Sequence, residues 1–579
     1  MRLSISQAFS PTQCVFALRR KSRSLIGSSV LSSALHQTRT LTMSSSCLGD
    51  VRWDDDSFYH YTGGRWLFNE AEQLADRCVK FNMAELVRLA TKSLGCSPSS
   101  CVSVEKLPEG NYNKAFLIKM CDGRQVVAKV PNPNAGLPFY TTASEVATMD
   151  FVRTIAGIPS PKVYAWNARA TGNPVGAEYI VMDKADGVLL SSKWPTMSMK
   201  EKHQLTQVII DFERSLLSHH FENIGSLYYE TDLAGLQDKF STTGYSGFAI
   251  GPTTNRQVLE DGRKNFDSDK GPWSTASEYI LASARREREC IQRSAKFPRP
   301  EGIFGGPRSY EPTADAKLAV LDNFEKVAPY LLPKDTSVNI PVLWHSDLHH
   351  DNIFVDSADP SKVLSIIDWQ SVYLAPLFQQ ATTPAFLDFD GPKQMEGLSV
   401  PSLPNNFGEL SLVEKERAKT LLAQQSLYKL YEIQSARQNP PVFKALRNAS
   451  TLGSQIISLV SQVFNDGESI VNGQLIQVAR EWDQIVGKDG PSCPLTATPA
   501  EIAAQDVNQR KWEEGVQLME DVLEALGGSE NGWQGWVSHE DYSQMKGKLS
   551  IVRKQFLDHM AENEEEREAW DRVWPFQNK

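Results

Sequence analysis

No C-x-x-C pair occurs among the eight cysteines (14, 47, 78, 96, 101, 121, 290 and 493), which lie scattered along 579 residues. That spacing excludes a zinc-ribbon framework and a dense disulfide scaffold, and leaves reduced, mostly structural thiols. Nowhere do about 18 apolar residues run together, so no membrane-spanning helix is expected. Net positive charge is missing as well. At −10 the chain lacks the basic face that phosphate neutralisation needs, which argues against a general nucleic-acid binder. There is no G-x-G-x-x-G and no internal repeat. With 41% apolar residues, the chain can build either several domains or one large two-lobed domain with additions.

A last absence is local. The first 49 residues contain no Asp or Glu, yet carry Arg2, Arg19, Arg20, Lys21, Arg23 and Arg39 among frequent Ser and Thr. Basic, hydroxyl-rich and acid-free, residues 1–45 read as a disordered mitochondrial presequence, a cationic segment that a negative-inside potential draws inward. This predicts a mitochondrial protein, with the matrix as its compartment.

Patterning then divides the chain. Residues 66–95 have helical spacing (Leu67, Leu74, Phe81, Met83, Leu86, Leu89), with Asn69 and Glu72 as a capping pair, inside a helical extension over 50–98. Residues 99–190 predict a small antiparallel lobe. It has a turn at Pro108–Asn113, a strand over 115–120, an Asp122-Gly123 hairpin turn, the strand RQVVAKVP, a helix over 141–154 and a strand over 176–183. From 191 to 407 the pattern is mainly helical, interrupted by a loop-rich insertion at 224–272, and residues 408–579 form a C-terminal helical region. The acidic run Glu562–Glu568 reads as a solvated helix face.

One stretch carries most of the chemistry: LWHSDLHHDNIFVD, residues 343–356. A hydrolase cage of His345, Asp347, His349, His350 and Asp351 would need ligands from later loops, and downstream only His539 and His559 remain. Phosphoryl transfer from ATP uses more of the chain. It needs a carboxylate for the acceptor hydroxyl, hard oxygen ligands for Mg²⁺, and a lysine on the phosphates held by a helix carboxylate. His345, Asp347 and Asn352 give H-x-D-x-x-x-x-N, and an apolar strand delivers Asp368 sixteen residues later. Asp347 is then the catalytic residue, with Asn352 and Asp368 as metal ligands. Upstream, Lys129 lies on a strand and Glu145 on the next helix, while Gly110 and Asn113 sit in the PEGNYN turn as nucleotide-binding candidates.

HSDLHHDNIFVD followed by IIDW resembles the catalytic and metal-binding motifs of the aminoglycoside phosphotransferase family. YTGGRWLFNE, KFNMAELVRLA, GPW, IIDWQSVYLAPLFQQA and the terminal WPF resemble a narrower, fungal mitochondrial group within it. The resemblance implies an α+β, protein-kinase-like two-lobed fold, with a small antiparallel β N-lobe and a large, mainly helical C-lobe. It also implies ATP and Mg²⁺ as cofactors and a small-molecule hydroxyl acceptor, and it places adenine near Tyr179–Asp183. The acceptor wall is expected over 224–310, with Tyr228, Tyr229, Asp232, Trp273 and Arg285. Ser346 replaces the arginine of many protein kinases, so control by activation-loop phosphorylation is not expected, and Trp369-Gln370 replaces the Phe-Gly that usually follows the metal-binding Asp. Two further readings stay open: a catalytically silent, nucleotide-binding scaffold, and transfer of another part of the nucleotide, such as AMP, onto protein. The acceptor, any protein partner and the oligomeric state are not written in the sequence.

Overall fold

The computed structural model describes residues 40–42, 56–236, 239–298, 300–389, 399–527 and 533–578. The predicted leader lies outside these residues except for Thr40–Thr42, which form an edge strand, β1. The helix α1 (Met83–Ser93) starts on Asn82, whose side chain accepts from the Glu85 N–H. It is separate from a short helix at Glu70–Ala75, so the single helical stretch expected over 66–95 is corrected. The expected Asn69–Glu72 cap is corrected too. Asn69 stands in the left-handed region at φ 50° and makes no cap bond with its side chain.

Strands β2 (Cys101–Lys106), β3 (Asn113–Met120) and β4 (Gln125–Pro131) are rich in β-branched and aromatic residues. They bury Phe116, Ile118, Val126, Ala128 and Val130 in a common core. Gly123, at φ +87°, makes the tight turn between β3 and β4 that few other residues accept. Helix α2 (Tyr140–Thr154) follows, then β5 (Val163–Asn167) and β6 (Tyr179–Asp183). The sheet order is β1-β2-β3-β4-β6-β5, antiparallel throughout. β6 is paired on both sides along its middle, Ile180–Met182, and the chain leaves the sheet after Asp183.

The large lobe opens with α3 (Met199–Ser218), fixed by a reciprocal Ser198–Glu201 capping box. The insertion expected as loop contains a three-stranded sheet, formed by β7 (Ser226–Tyr229), β8 (Phe248–Gly251) and Ser241–Thr242. These strands are short, and β8 is buried at every position, so no alternation marked it. Helices α4 (Ala276–Arg293) and α5 (Ala314–Leu331) pack into the largest core with the helices at 452–460 and 468–480.

Two small antiparallel units then present the central motif: β9 (Pro341–Leu343) with β12 (Leu374–Pro376), and β10 (Ile353–Val355) with β11 (Val363–Ile366). Helix α6 (Leu412–Gln438) packs on α3, where the Tyr431 hydroxyl meets both carboxylate oxygens of Glu213 at 2.9 and 3.0 Å. The two ends of the fold also meet. Trp536–Val537 pairs with Arg65–Trp66, and Phe68 packs with Trp533 and Phe576. Among the described residues no helix is long and apolar enough to cross a membrane. The architecture is the α+β arrangement expected from the sequence, a small antiparallel β lobe and a large, mainly helical lobe.

Candidate active site

The β10–β11 hairpin sets the site. Ile353 stands opposite Ile366, and the Ile367 N–H donates to the Asn352 carbonyl at 3.0 Å. Asn352 and Asp368, sixteen residues apart in sequence, therefore leave the same end of one hairpin. The Asn352 side-chain nitrogen donates to the Asp347 carbonyl at 2.9 Å and lies 3.1 Å from His349 Nε2. This commits the nitrogen of the amide to the loop and leaves Oδ1, a hard oxygen, as its other end. Asp368 adopts φ +62°, a left-handed conformation that a short polar side chain tolerates and that marks a constrained position.

Lys129 reaches this end from β4. Its Nζ lies 2.6 Å from Glu145 Oε1, on α2, and 3.5 Å from Asp368 Oδ1. Burial acts on Lys129 and Glu145 in opposite senses, lowering the lysine and raising the carboxyl. Glu145 and Asp368 together outweigh burial for Lys129, whose pKa ends above its ordinary value, so it is a fixed cation. Partial enclosure pushes Asp368 up, though its side chain is 43% exposed, but Lys129, with His345 and Arg256, holds its carboxyl below the usual range. Asp347 is different. Burial first, and the Asp368 charge second, push its carboxyl up to about 8 against the opposing pull of Arg256. A carboxyl tuned toward neutrality suits a group that takes up a proton.

The histidines turn to structural partners. His345 Nε2 lies 3.0 Å from the Ile367 carbonyl, and its ring meets Trp369 edge to face at 4.7 Å. His349 Nδ1 accepts from the Asp351 N–H, and His350 packs against Trp194 and Phe386. Burial holds His350 down at about 4, so it is a neutral packing group at physiological pH.

The turn between β2 and β3 is anchored by a residue that sequence reading passed over. The Glu109 side chain is fully buried between Lys106 Nζ at 2.8 Å and Lys114 Nζ at 2.9 Å, and it accepts from the Thr62 N–H and hydroxyl. Next to it, Gly110 faces open space, where an added Cβ would meet nothing within 4 Å. Asn113 is occupied by Gln370, the two side-chain amides pairing at 3.0 and 3.1 Å. Also missed were Tyr112 and Arg256. Arg256 comes from the insertion, stacks its guanidinium on the Tyr112 ring at 3.2 Å, and donates to Gln370 Oε1 at 3.2 Å. No short-range pattern could have shown this, because 144 residues separate Tyr112 from Arg256.

The expected acceptor wall is partly committed elsewhere. Tyr228 is buried and donates to the Pro252 carbonyl, Tyr229 donates to Asp150, and Trp273 donates to Asp269. Arg285 is exposed. A mostly apolar cavity that does reach Asp347 is lined by residues including Ile209, Phe212 and Glu213 of α3, His345, and Thr383, with none from 224–310. Glu566, within the acidic run expected to be solvated, is held by Arg308.

Residues 308–382, which contain Asp347, Asn352 and Asp368, match the phosphotransferase enzyme family, APH. The chain is 31% identical over 456 residues to a subtelomeric hrmA-associated cluster protein of Aspergillus fumigatus, covering 74% of this chain and 88% of that protein. It is 25% identical over 542 residues to the mitochondrial altered inheritance of mitochondria protein 9 of Yarrowia lipolytica, covering 87% and 88%. Among solved structures, it is similar to a thermostable mutant of aminoglycoside phosphotransferase APH(4)-Ia in its apo form. There the TM-score is 0.34 at 14% identity, covering 69% of this chain and 99% of that one.

Proposed function

Since the chain belongs to the aminoglycoside phosphotransferase family, we propose that it is an ATP- and Mg²⁺-dependent enzyme that transfers the γ-phosphoryl group to a hydroxyl of a small-molecule acceptor. The observation that carries this reading is the convergence of Asn352, Asp368 and the Lys129–Glu145 pair at one end of the β10–β11 hairpin.

The donor set fits magnesium. Asn352 offers an amide oxygen whose partner nitrogen is already committed, and Asp368 offers a carboxylate kept ionised by its neighbours. Magnesium, when bound, neutralises phosphate charge and orients the triphosphate. Lys129 grips the inner phosphates, and Glu145 keeps the ammonium aimed at them. Asp347 accepts the acceptor's hydroxyl proton as the acceptor oxygen bonds to the γ-phosphorus and the bond to the β–γ bridging oxygen breaks, with ADP leaving. His345 and Asn352 hold the loop that carries Asp347.

The composition of residues 1–45 and the mitochondrial proteins among the relatives support import into mitochondria, with the matrix as the site of action. Deleting residues 1–45 should leave the protein in the cytosol, and continued import would contradict the assignment.

A thermal-shift titration with ATP, with and without Mg²⁺, tests the site. Wild type should shift more with Mg²⁺ than without, and Asp368→Ala should lose that increment. Absence of a metal-dependent shift in wild type would sink the reading.

A further inference from the structure

We propose that Arg256 is a second phosphate-binding cation, delivered from the insertion and held in place to contact the oxygens of the transferring γ-phosphoryl group. This rests on the phosphotransferase reading and extends it to a residue outside the motifs that define the site.

The loop that carries Arg256 is braced by buried hydrogen bonds. Thr253 and Thr254 are fully buried, the Thr254 N–H donates to Ser226 Oγ on β7 at 2.9 Å, and the Thr253 N–H donates to the Lys270 carbonyl. Asn255 caps the turn that begins at Arg256 by accepting from the Gln257 N–H. A residue on such a support is positioned before any ligand arrives, which is what a contact to a developing charge requires.

The guanidinium is aimed by two neighbours from the phosphate side of the cleft. Tyr112 belongs to the turn between β2 and β3, and its ring lies under the guanidinium. Gln370 stands two residues beyond Asp368 and accepts one N–H. Glu260, four residues on, forms a loose ion pair with the guanidinium at 3.7 Å. A guanidinium has five N–H donors, so these contacts leave donors for further oxygens. Through Gln370 the guanidinium is tied to the segment that carries Asp368, and through Tyr112 to the turn before β3, so it lies where those two segments meet.

Charge supports the same role. Lys129 is committed to Glu145 at 2.6 Å on the β4 side. Arg256 approaches from the opposite lobe and is the cation positioned to meet charge on the far oxygens of the γ-phosphate. In the transfer, the acceptor oxygen bonds to phosphorus, the bridging bond to the β-phosphate breaks, and Asp347 takes the proton. Negative charge is then spread over the equatorial oxygens that a guanidinium fork can meet.

The experiment is calorimetric titration of the full chain with Mg–ATP and with Mg–ADP, for wild type, Arg256→Ala and Arg256→Gln. Arg256→Gln keeps a flat end that can donate to Gln370 and lie on the Tyr112 ring without the charge, and decides the question if Arg256→Ala fails to fold. Loss of a charge-assisted contact to the γ-phosphate should weaken ATP about tenfold and ADP by less than about twofold. Equal weakening of ATP and ADP, or no weakening of either, would overturn the proposal. Wild type that binds neither nucleotide would refute the phosphotransferase reading itself, and this proposal with it.

Discussion

The side-chain amides of Asn113 and Gln370 pair with each other across the two lobes, at 3.0 and 3.1 Å. The pair ties the first residue of β3 to the segment that follows Asp368. Replacing Asn113 and Gln370 by Ala, singly and together, should give a coupling of about 1 kcal/mol in denaturant unfolding, the size of a neutral hydrogen-bonded pair. Additive effects would show that the pair does not join the lobes.

The Lys129–Glu145 pair is buried, so removing Glu145 leaves Lys129 only its longer, 3.5 Å contact with Asp368. Glu145→Ala should cost about 3–5 kcal/mol of stability. The double variant Lys129→Met, Glu145→Leu should regain much of that loss while abolishing phosphoryl transfer, because the apolar pair packs but cannot grip phosphate. A double variant as unstable as Glu145→Ala would contradict this account.

Glu109 holds two lysines at once. Glu109→Ala leaves Lys106 and Lys114 buried without their carboxylate and should cost about 3–5 kcal/mol, more than Lys106→Met alone. Hydrogen exchange should also rise in residues 107–112 of the Glu109→Ala variant. Unchanged protection there would mean that the turn is held by other contacts.

Asp347 makes stability depend on pH with a definite sign. The folded carboxyl, pushed up to about 8, keeps its proton at pH values where the unfolded side chain, near 3.8, has lost it. The native state therefore binds more protons, and this group's contribution falls as pH rises between those two values. Asp347→Asn removes the penalty. It should be more stable than wild type at pH 7–8 by on the order of 1–3 kcal/mol, and about equal to it near pH 3. Thermal melts across that range check it, and a stability difference independent of pH would contradict the assignment.

The central motif could be read from the sequence because its parts are local. His345, Asp347 and Asn352 share one loop, and Asp368 ends the next strand, so a two-strand hairpin is enough to bring them together. Lys129 and Glu145 followed from the order strand, then helix. What the sequence hid depends on packing between distant segments. Arg256 meets Tyr112 and Gln370 only because the insertion folds back onto the small lobe. Trp66 pairs with Trp536 only because the chain's last helices return to its first described ones. The β7–β8 sheet escaped notice because both of its faces are covered, and the Asn69–Glu72 cap failed because Asn69 is needed in a left-handed turn.

The most direct test of the central claim uses [γ-³²P]ATP, Mg²⁺ and a small-molecule extract, with wild type and Asp347→Ala side by side. The account predicts that wild type labels a small hydroxyl-bearing compound, and that Asp347→Ala binds ATP but labels nothing. Nucleotide binding by both proteins with no labelled product from either, or equal labelling by both, would contradict it.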